Sequence, residues 1–128
     1  MFCSLAPTKY FQFSKYGLKI LAFPCNQFGA QEPGTDEEIL EFTKKYDFNG
    51  DLTAKCDINK SDSCDGHPLW NWMIGQAADK ETGEQPIRWN FTKFLLDGQG
   101  QVVCREHTKT EAINLTPAIE SVLKMTKF

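Results

Sequence analysis

The 128-residue sequence has no excess of basic residues and no long apolar run. Its 14 Lys and Arg are outnumbered by 17 Asp and Glu, which gives a net charge of -3. Such a chain offers no electrostatic basis for binding nucleic acid or an anionic membrane surface. No apolar stretch approaches the roughly 20 residues that a transmembrane helix needs. We therefore expect no nucleic-acid partner and no transmembrane segment.

The N-terminus lacks the features of a secretory signal. The stretch MFCSLAPTKYFQF has neither a basic n-region nor a continuous apolar core. We therefore predict a cytoplasmic location, where the five cysteines are expected as thiols. An odd number of cysteines also argues against a fully paired disulfide framework.

Paired metal ligands are lacking as well. Cys64 and His67 form an isolated C-x-x-H, and a loop cysteine beside a helix start explains them better than a zinc site does. A Cys-His nucleophile pair would need a proximity that spacing does not establish. His107 lies in an alternating segment and is expected to be solvated. We predict neither a metal site nor a bound cofactor.

The pattern of apolar residues and turn signals predicts alternating helices and strands in a single domain spanning residues 1–128. After the first elements, the order ends in an antiparallel hairpin and a last helix. This order favours an α/β three-layer sandwich with a mixed sheet. The predicted helices are residues 6–16, 36–46, one from Pro68 and one from Thr116; the predicted strands are 18–23, 52–58, 91–96 and 102–107, with an exposed charged loop at 79–86.

Three segments carry more specific expectations. The run LKILAF, residues 18–23, is typical of a strand buried on both faces. Residues 52–58 alternate in hydrophobicity, which indicates a half-buried strand. Thr35 and Glu38 form a capping-box motif, and the helix that follows is expected to place Ile39, Phe42 and Tyr46 on one stripe.

Two stretches contain residues that could take part in chemistry. The first is LAFPCNQFGAQEPG, residues 21–34, which places Cys25 just after a predicted strand, where α/β sheets keep their sites. A cysteine at a strand end is also often a small buried hydrophobe, so spacing alone leaves both readings open. The second is Trp89-Asn90. Buried tryptophan is usually core, but its indole N–H needs a partner and the adjacent amide adds donors.

The stretch LAFPCNQFGAQEPG together with WNFTKF, residues 89–94, resembles the glutathione peroxidase family. The resemblance runs from about Gly17 to at least Val103 and includes LKIL and LLDGQGQVV. It implies a thioredoxin-like fold, which agrees with the element order. It also implies an oxidoreductase that reduces hydrogen peroxide and organic or lipid hydroperoxides with thiols such as glutathione, in response to oxidative stress.

The family's motifs match three catalytic residues of this sequence: Gln31, Trp89 and Asn90. Their N–H groups would lower the pKa of a thiolate nucleophile and donate to the departing oxygen without titrating themselves. In this interpretation Gly29 and the Pro33-Gly34 turn direct Gln31 at the reaction centre. Cys25 is then mainly a packing residue.

The family's nucleophile, a cysteine or selenocysteine, has no counterpart in this sequence. It belongs upstream of the LKIL strand, and Cys3 is too close to Gly17 to match it. The resemblance therefore predicts a domain incomplete at its N-terminus, lacking the central strand and the nucleophile loop, and inactive as given. The alternative is a non-catalytic fragment or splice form that acts only as a binding module.

Two further features predict the subtype. The helix at residues 36–46 contains no resolving cysteine, which favours direct reduction by thiols. The loop before Trp89 is short, which resembles the monomeric, phospholipid-hydroperoxide branch of the family. Small-molecule peroxides and glutathione are the expected partners. Loss of the central strand would leave the strands at 18–23 and 91–96 unpaired along one edge, so we expect a poorly stable fold.

Overall fold

The computed structural model describes residues 12–125. Cys3 and most of the helix predicted at residues 6–16 lie outside this range; residues 12–14 are helical and a turn follows to Gly17. In chain order the structure contains β1 (Leu21–Ala22), α1 (Asp36–Lys44), β2 (Asp51–Leu52), α2 (Pro68–Gln76), β3 (Lys93–Leu96), β4 (Val102–Glu106), a 3-10 helix (Ala112–Leu115) and α3 (Thr116–Met125). No helix within the described range is long and apolar enough to span a bilayer.

The chain forms two compact units. The first contains described residues 12–24, 32–55 and 111–125, and the second contains residues 25–31 and 56–110. In the first unit β1 pairs in parallel with β2, and in the second β3 pairs antiparallel with β4. The single domain expected for residues 1–128 stays a prediction.

The first unit confirms one expectation for α1 and corrects another. Thr35 and Glu38 form the predicted capping box, with the Thr35 hydroxyl accepting from the Glu38 N–H at 3.2 Å. The predicted stripe does not face the core beyond Ile39, because Phe42 and Tyr46 are 39% and 57% exposed and their rings pack against each other. The second buried residue is Thr43, one helical turn after Ile39, whose hydroxyl donates to a backbone carbonyl of its own helix.

The strand predicted at residues 18–23 is shorter and more exposed than expected. Only Leu21–Ala22 pairs with another strand. Leu21 is 51% exposed, so the prediction that this strand is buried on both faces is wrong. Within residues 12–125, β1 has one partner strand, β2. A continuous apolar run shows that a segment is hydrophobic, but it does not show how many neighbouring strands or helices will cover that segment.

The strand predicted at residues 52–58 ends at Leu52. The Thr53 N–H still donates to the Ala22 carbonyl of β1 at 3.0 Å, but side chains accept from backbone N–H groups further along. Within the first unit, the Lys55 N–H donates to the Asp36 carboxylate at 2.8 Å. Within the second unit, the N–H groups of Ile58 and Asn59 both donate to a side-chain oxygen at 2.9 Å. Side-chain acceptors 19 to 32 positions away in the sequence thus take the place of sheet pairing beyond the strand.

The second unit contains the predicted helix and hairpin. His67 caps α2, its Nδ1 accepting from the Leu69 N–H at 3.2 Å, and Pro68 occupies the first turn. The hairpin loop is closed by Asp97, whose carboxylate accepts from the N–H groups of Gln99 and Gln101, both at 2.9 Å. The hairpin prediction is confirmed, with a register irregularity at Leu95/Leu96.

Arg105, on β4, is a buried cation that organises the loop at residues 79–86. It is 2% exposed, and its guanidinium donates to the carbonyls of Ala77, Gln85 and Pro86 at 3.1, 2.6 and 3.0 Å. Burial lowers the pKa of Arg105. The planar fork of arginine suits several carbonyls at once, which is why one side chain can hold this loop.

Two residues near Arg105 are less exposed than the sequence predicts. Asp79 was expected in an exposed loop but is only 5% exposed, and its carboxylate accepts from the N–H groups of Glu81 and Thr82. Burial acts to raise the pKa of Asp79, but these backbone donors, with His107 and Arg105 nearby, hold it below the ordinary value. The His107 side chain is 19% exposed rather than solvated, and its Nδ1 accepts from a backbone N–H.

Candidate active site

The turn at residues 25–31 positions the first candidate residue. Gly29 has φ 67° and Ala30 has φ 50°, so the backbone is left-handed at two consecutive residues just before Gln31. Phe28 is buried and anchors the turn, whereas Gln31 is exposed. The sharp reversal after Phe28 therefore presents the Gln31 amide to solvent.

The structure brings Gln31 and Asn90 together. The Nδ2 of Asn90 donates a hydrogen bond to the Oε1 of Gln31 at 2.9 Å, across 59 positions of sequence. In the described part of the chain the Gln31 amide nitrogen has no hydrogen-bond partner, so both its N–H groups can face a ligand. The bond thus fixes which end of the Gln31 amide is the donor.

Trp89 completes the cluster. Its ring lies against the turn: a β-carbon built on Gly29 would be 2.8 Å from Cη2 of Trp89 and 3.5 Å from Cγ of Gln31. The Trp89 ring centroid is 6.3 Å from that of Phe28, in a tilted arrangement. Trp89 remains 43% exposed, so part of its ring lies at the protein surface. All three residues predicted from the motifs therefore cluster in the second unit.

Backbone strain is concentrated at this cluster. Ala30 directly precedes Gln31, and Phe91, with φ 62°, directly follows Asn90. A left-handed conformation costs a residue with a β-carbon about 1–3 kcal/mol, and it persists where the surroundings impose it. Strain of this kind is typical of functional sites, and it adds an observation that the sequence motifs did not supply.

Cys25 lies at the start of the same turn but faces inward. It is 7% exposed, and its Sγ donates to Oε1 of Gln27 at 3.5 Å. This burial agrees with the interpretation of Cys25 as a packing residue. Burial and the nearby Glu106 carboxylate raise the pKa of the Cys104 thiol, which disfavours its thiolate. Across residues 12–125 no three potential metal ligands come together.

Comparison with known proteins identifies the family. The family profile described as Glutathione peroxidase matches residues 6–74, more than half of the chain. The chain belongs to the glutathione peroxidase family. It is 51% identical over 94 residues to a phospholipid hydroperoxide glutathione peroxidase from Callithrix jacchus, and 48% identical over 94 residues to its counterpart from Mus musculus. The match covers 73% of this chain and 46% of each relative, so the chain spans about half the length of the curated relatives it matches.

Solved glutathione peroxidase structures share the fold. The chain superposes on a structure described as Trgpx in apo form with a TM-score of 0.71 and 26% identity, covering 92% of this chain and 67% of the other. For the structure described as T. cruzi GPX1 the TM-score is 0.72 at 28% identity, with coverage of 96% and 71%. The family resemblance and the thioredoxin-like α/β fold expected from the sequence are confirmed.

Proposed function

We propose that this domain provides the hydrogen-bonding half of a thiol peroxidase site, in which Gln31, Trp89 and Asn90 are catalytic. The observation that supports this role is the 2.9 Å bond between Asn90 and Gln31 beside the Trp89 indole. The exposure of Gln31 and of Trp89, which is 43% exposed, further supports donors that a small peroxide can reach. Membership of the glutathione peroxidase family supports the reaction class.

The proposed reaction has two stages. A thiolate or selenolate attacks one oxygen of the hydroperoxide; the S–O or Se–O bond forms as the O–O bond breaks, and the alcohol or water leaves after taking a proton. One thiol, such as glutathione, then displaces water from the resulting sulfenic or selenenic acid and forms a mixed disulfide or its selenium equivalent. A second thiol releases the disulfide and restores the nucleophile, so two thiols are oxidised for each peroxide reduced.

The three side chains act on the charges of the first stage. N–H donors directed at the anion lower its pKa and favour the attacking thiolate or selenolate. The same donors stabilise the negative charge that develops on the departing oxygen. Amide and indole groups do this without titrating, so they serve both states of the cycle at any ordinary pH. The nucleophile itself has no matching residue in this sequence.

The same proposal includes a direct thiol reductant, a monomeric protein and a cytoplasmic location. The absence of cysteine from α1 supports the direct thiol reductant, and the short loop before Trp89 supports the monomer. Relatives named phospholipid hydroperoxide glutathione peroxidase support lipid hydroperoxides among the substrates. Sedimentation of the purified protein and fractionation of cells test the last two parts.

A peroxidase assay tests the central claim. The 128-residue chain is compared with a form extended upstream by a family strand and nucleophile loop, using glutathione with hydrogen peroxide or a phospholipid hydroperoxide. We expect turnover in the extended form, and a loss of about 10²-fold in kcat/KM on Gln31→Ala. Gln99→Ala, on the exposed hairpin loop, is the matched control and should leave kcat/KM unchanged. An extended form that folds but does not turn over would favour the non-catalytic binding module.

A further inference from the structure

Gln27 makes three hydrogen bonds to a distant backbone segment of the same unit. Its Oε1 accepts from the N–H groups of Ile58 and Asn59, each at 2.9 Å, and its Nε2 donates to the Asn59 carbonyl at 2.9 Å. One side chain therefore uses both ends of its amide on the backbone. Since Gln27 belongs to the same turn as Gln31, these bonds tie the turn to residues 58–59.

Asn59 continues the connection with its own side chain. Its Nδ2 donates to the Ile87 carbonyl at 2.6 Å, and its Oδ1 accepts from the Ile87 N–H at 3.0 Å. This two-point contact satisfies both backbone groups of Ile87, as a neighbouring strand would. Ile87 lies just before Trp89, so the bonds connect the Gln31 turn with the Trp89-Asn90 segment.

The hydrogen bonds of Gln27 and Asn59 lie in a part of the unit that is partly shielded from water. Ile58 and Ile87 are 2% and 4% exposed, and both amide side chains are half-buried. Away from water, a hydrogen bond is stronger and an unpaired polar group is more costly, so the alternatives to this arrangement are disfavoured. In contrast, the Asn90–Gln31 bond is solvent-exposed and by itself holds its two segments weakly.

We propose that Gln27 and Asn59 are positioning residues that set the register between the Gln31 turn and the Trp89-Asn90 segment. Gln27 acts through the backbone of Ile58 and Asn59, and Asn59 acts through the backbone of Ile87. Arg105 fixes the carbonyls of Gln85 and Pro86, and the Asn59 contact fixes the next residue along the chain. The inference concerns the site of the proposed function, but its test needs no catalytic activity.

Asn59→Asp provides a reversible test. A protonated carboxyl can still donate to the Ile87 carbonyl and accept from the Ile87 N–H, whereas an ionised one places negative charge against that carbonyl. The readout is the NMR signals of the Asn90 and Gln31 side-chain amides and the Trp89 indole N–H. In Asn59→Asp we expect native signal positions at low pH, and a shift or loss of all three as the introduced carboxyl ionises.

Asn71→Asp is the matched control. The Asn71 amide also donates to a backbone carbonyl, that of Asp65, at 2.9 Å, but it has no bond to the site segment. Backbone N–H signals of β3 and β4 report whether the unit stays folded. The proposal expects the three site signals of Asn59→Asp to titrate while the hairpin signals stay in place, and expects no such titration in Asn71→Asp.

Two results would overturn the inference. Site signals that stay native at every pH would show that the register does not depend on Asn59. Site and hairpin signals lost together at every pH would show that Asn59 supports the whole unit instead. Gln27→Glu gives a second measurement, since it keeps the acceptor oxygen but loses the donor to the Asn59 carbonyl, and the same three signals should shift. The NMR experiment uses no peroxide, so its failure would not contradict the proposed peroxidase function. The peroxidase assay tests that function separately.

Discussion

A β-carbon on Gly29 would lie 2.8 Å from Cη2 of Trp89, closer than side chains approach in folded proteins. Gly29→Ala should therefore displace the indole as well as strain a backbone with φ 67°. The left-handed conformation alone costs about 1–3 kcal/mol. We expect a larger loss in the free energy of unfolding and a change in tryptophan emission, measured by urea titration followed by fluorescence.

The Gly83→Ala variant separates the backbone strain from the displacement of the indole. Gly83 has φ 72°, but a β-carbon there would meet nothing within 4 Å. This variant should show the backbone cost without the change in emission. Equal losses and equal emission in the two variants would contradict the close packing of Trp89 against the turn.

Arg105→Met should destabilise the second unit strongly. Removing the buried guanidinium deprives the carbonyls of Ala77, Gln85 and Pro86 of their charged donor. We expect a loss of about 3–5 kcal/mol in the free energy of unfolding, the scale of breaking a buried charged network. Chemical denaturation of the purified variant measures it.

Arg88→Met is the control for loss of a charge. Arg88 pairs with Glu84 at 3.2 Å, but both side chains are about half exposed, at 50% and 54%. Surface ion pairs contribute about 0–1 kcal/mol, so this variant should unfold almost as wild type does. If Arg88→Met and Arg105→Met lost similar stability, the loop at residues 79–86 would not depend on the buried fork.

The stabilising effect of Asp79 should vanish in acid. Its pKa is held below the ordinary value in the folded protein, so the ionised form favours the folded state. This contribution is fully present above the unfolded pKa of about 3.9 and is lost as the pH falls through the lower folded value. Thermal unfolding of wild type and Asp79→Asn should therefore differ near pH 7 and begin to converge as the pH falls below about 4. Parallel melting curves from neutral to acid pH would refute this role.

The three candidate site residues were assigned through the resemblance of two short stretches to the glutathione peroxidase family, and their catalytic role stays a prediction. Gln31 and the Trp89-Asn90 pair are recognisable without knowledge of the fold, and the hairpin is signalled by Asp97-Gly98-Gln99-Gly100. The capping box could also be predicted, since Thr35 and Glu38 lie within one helical turn of each other.

The contacts that hold the site were not predictable from local patterns. Gln27 and Asn59 are common polar residues, and their partners lie 28 to 32 positions away. Arg105 and Asp79 look like ordinary surface charges until the fold buries them. The predicted strand lengths were wrong for a similar reason, because whether Leu21 is covered depends on its neighbours rather than on its own hydrophobicity.

Cys25→Ser in the upstream-extended protein should leave peroxide turnover within about twofold of wild type. The thiol is 7% exposed and bonded to Gln27, so it is not presented to a peroxide in solution. A hydroxyl can make the same bond to the Gln27 oxygen. The 128-residue chain by itself should consume peroxide no faster than an ordinary thiol. Glutathione-dependent turnover by that chain, abolished by Cys25→Ser, would instead make Cys25 the nucleophile.

The Gln31–Asn90 bond should make the two residues act as a unit in catalysis. Asn90 holds the Gln31 amide with its N–H groups outward, so removal of either side chain disturbs the other. We expect Gln31→Ala and Asn90→Ala each to lower kcat/KM by roughly 10²-fold in the upstream-extended protein. The double variant should then lose little more than the worse single variant, because groups that act together are not additive.

The Gln31→Ala/Gln99→Ala pair is the control for this cycle. Gln99 lies on the hairpin loop and has no bond to the cluster, so its effect should simply add to that of Gln31→Ala. Parallel far-UV circular dichroism spectra would show that each variant keeps its fold. A double Gln31/Asn90 variant whose loss equals the product of the two single losses would mean that the amides contact the reacting atoms independently. The 2.9 Å bond would then have no part in orienting the Gln31 donor.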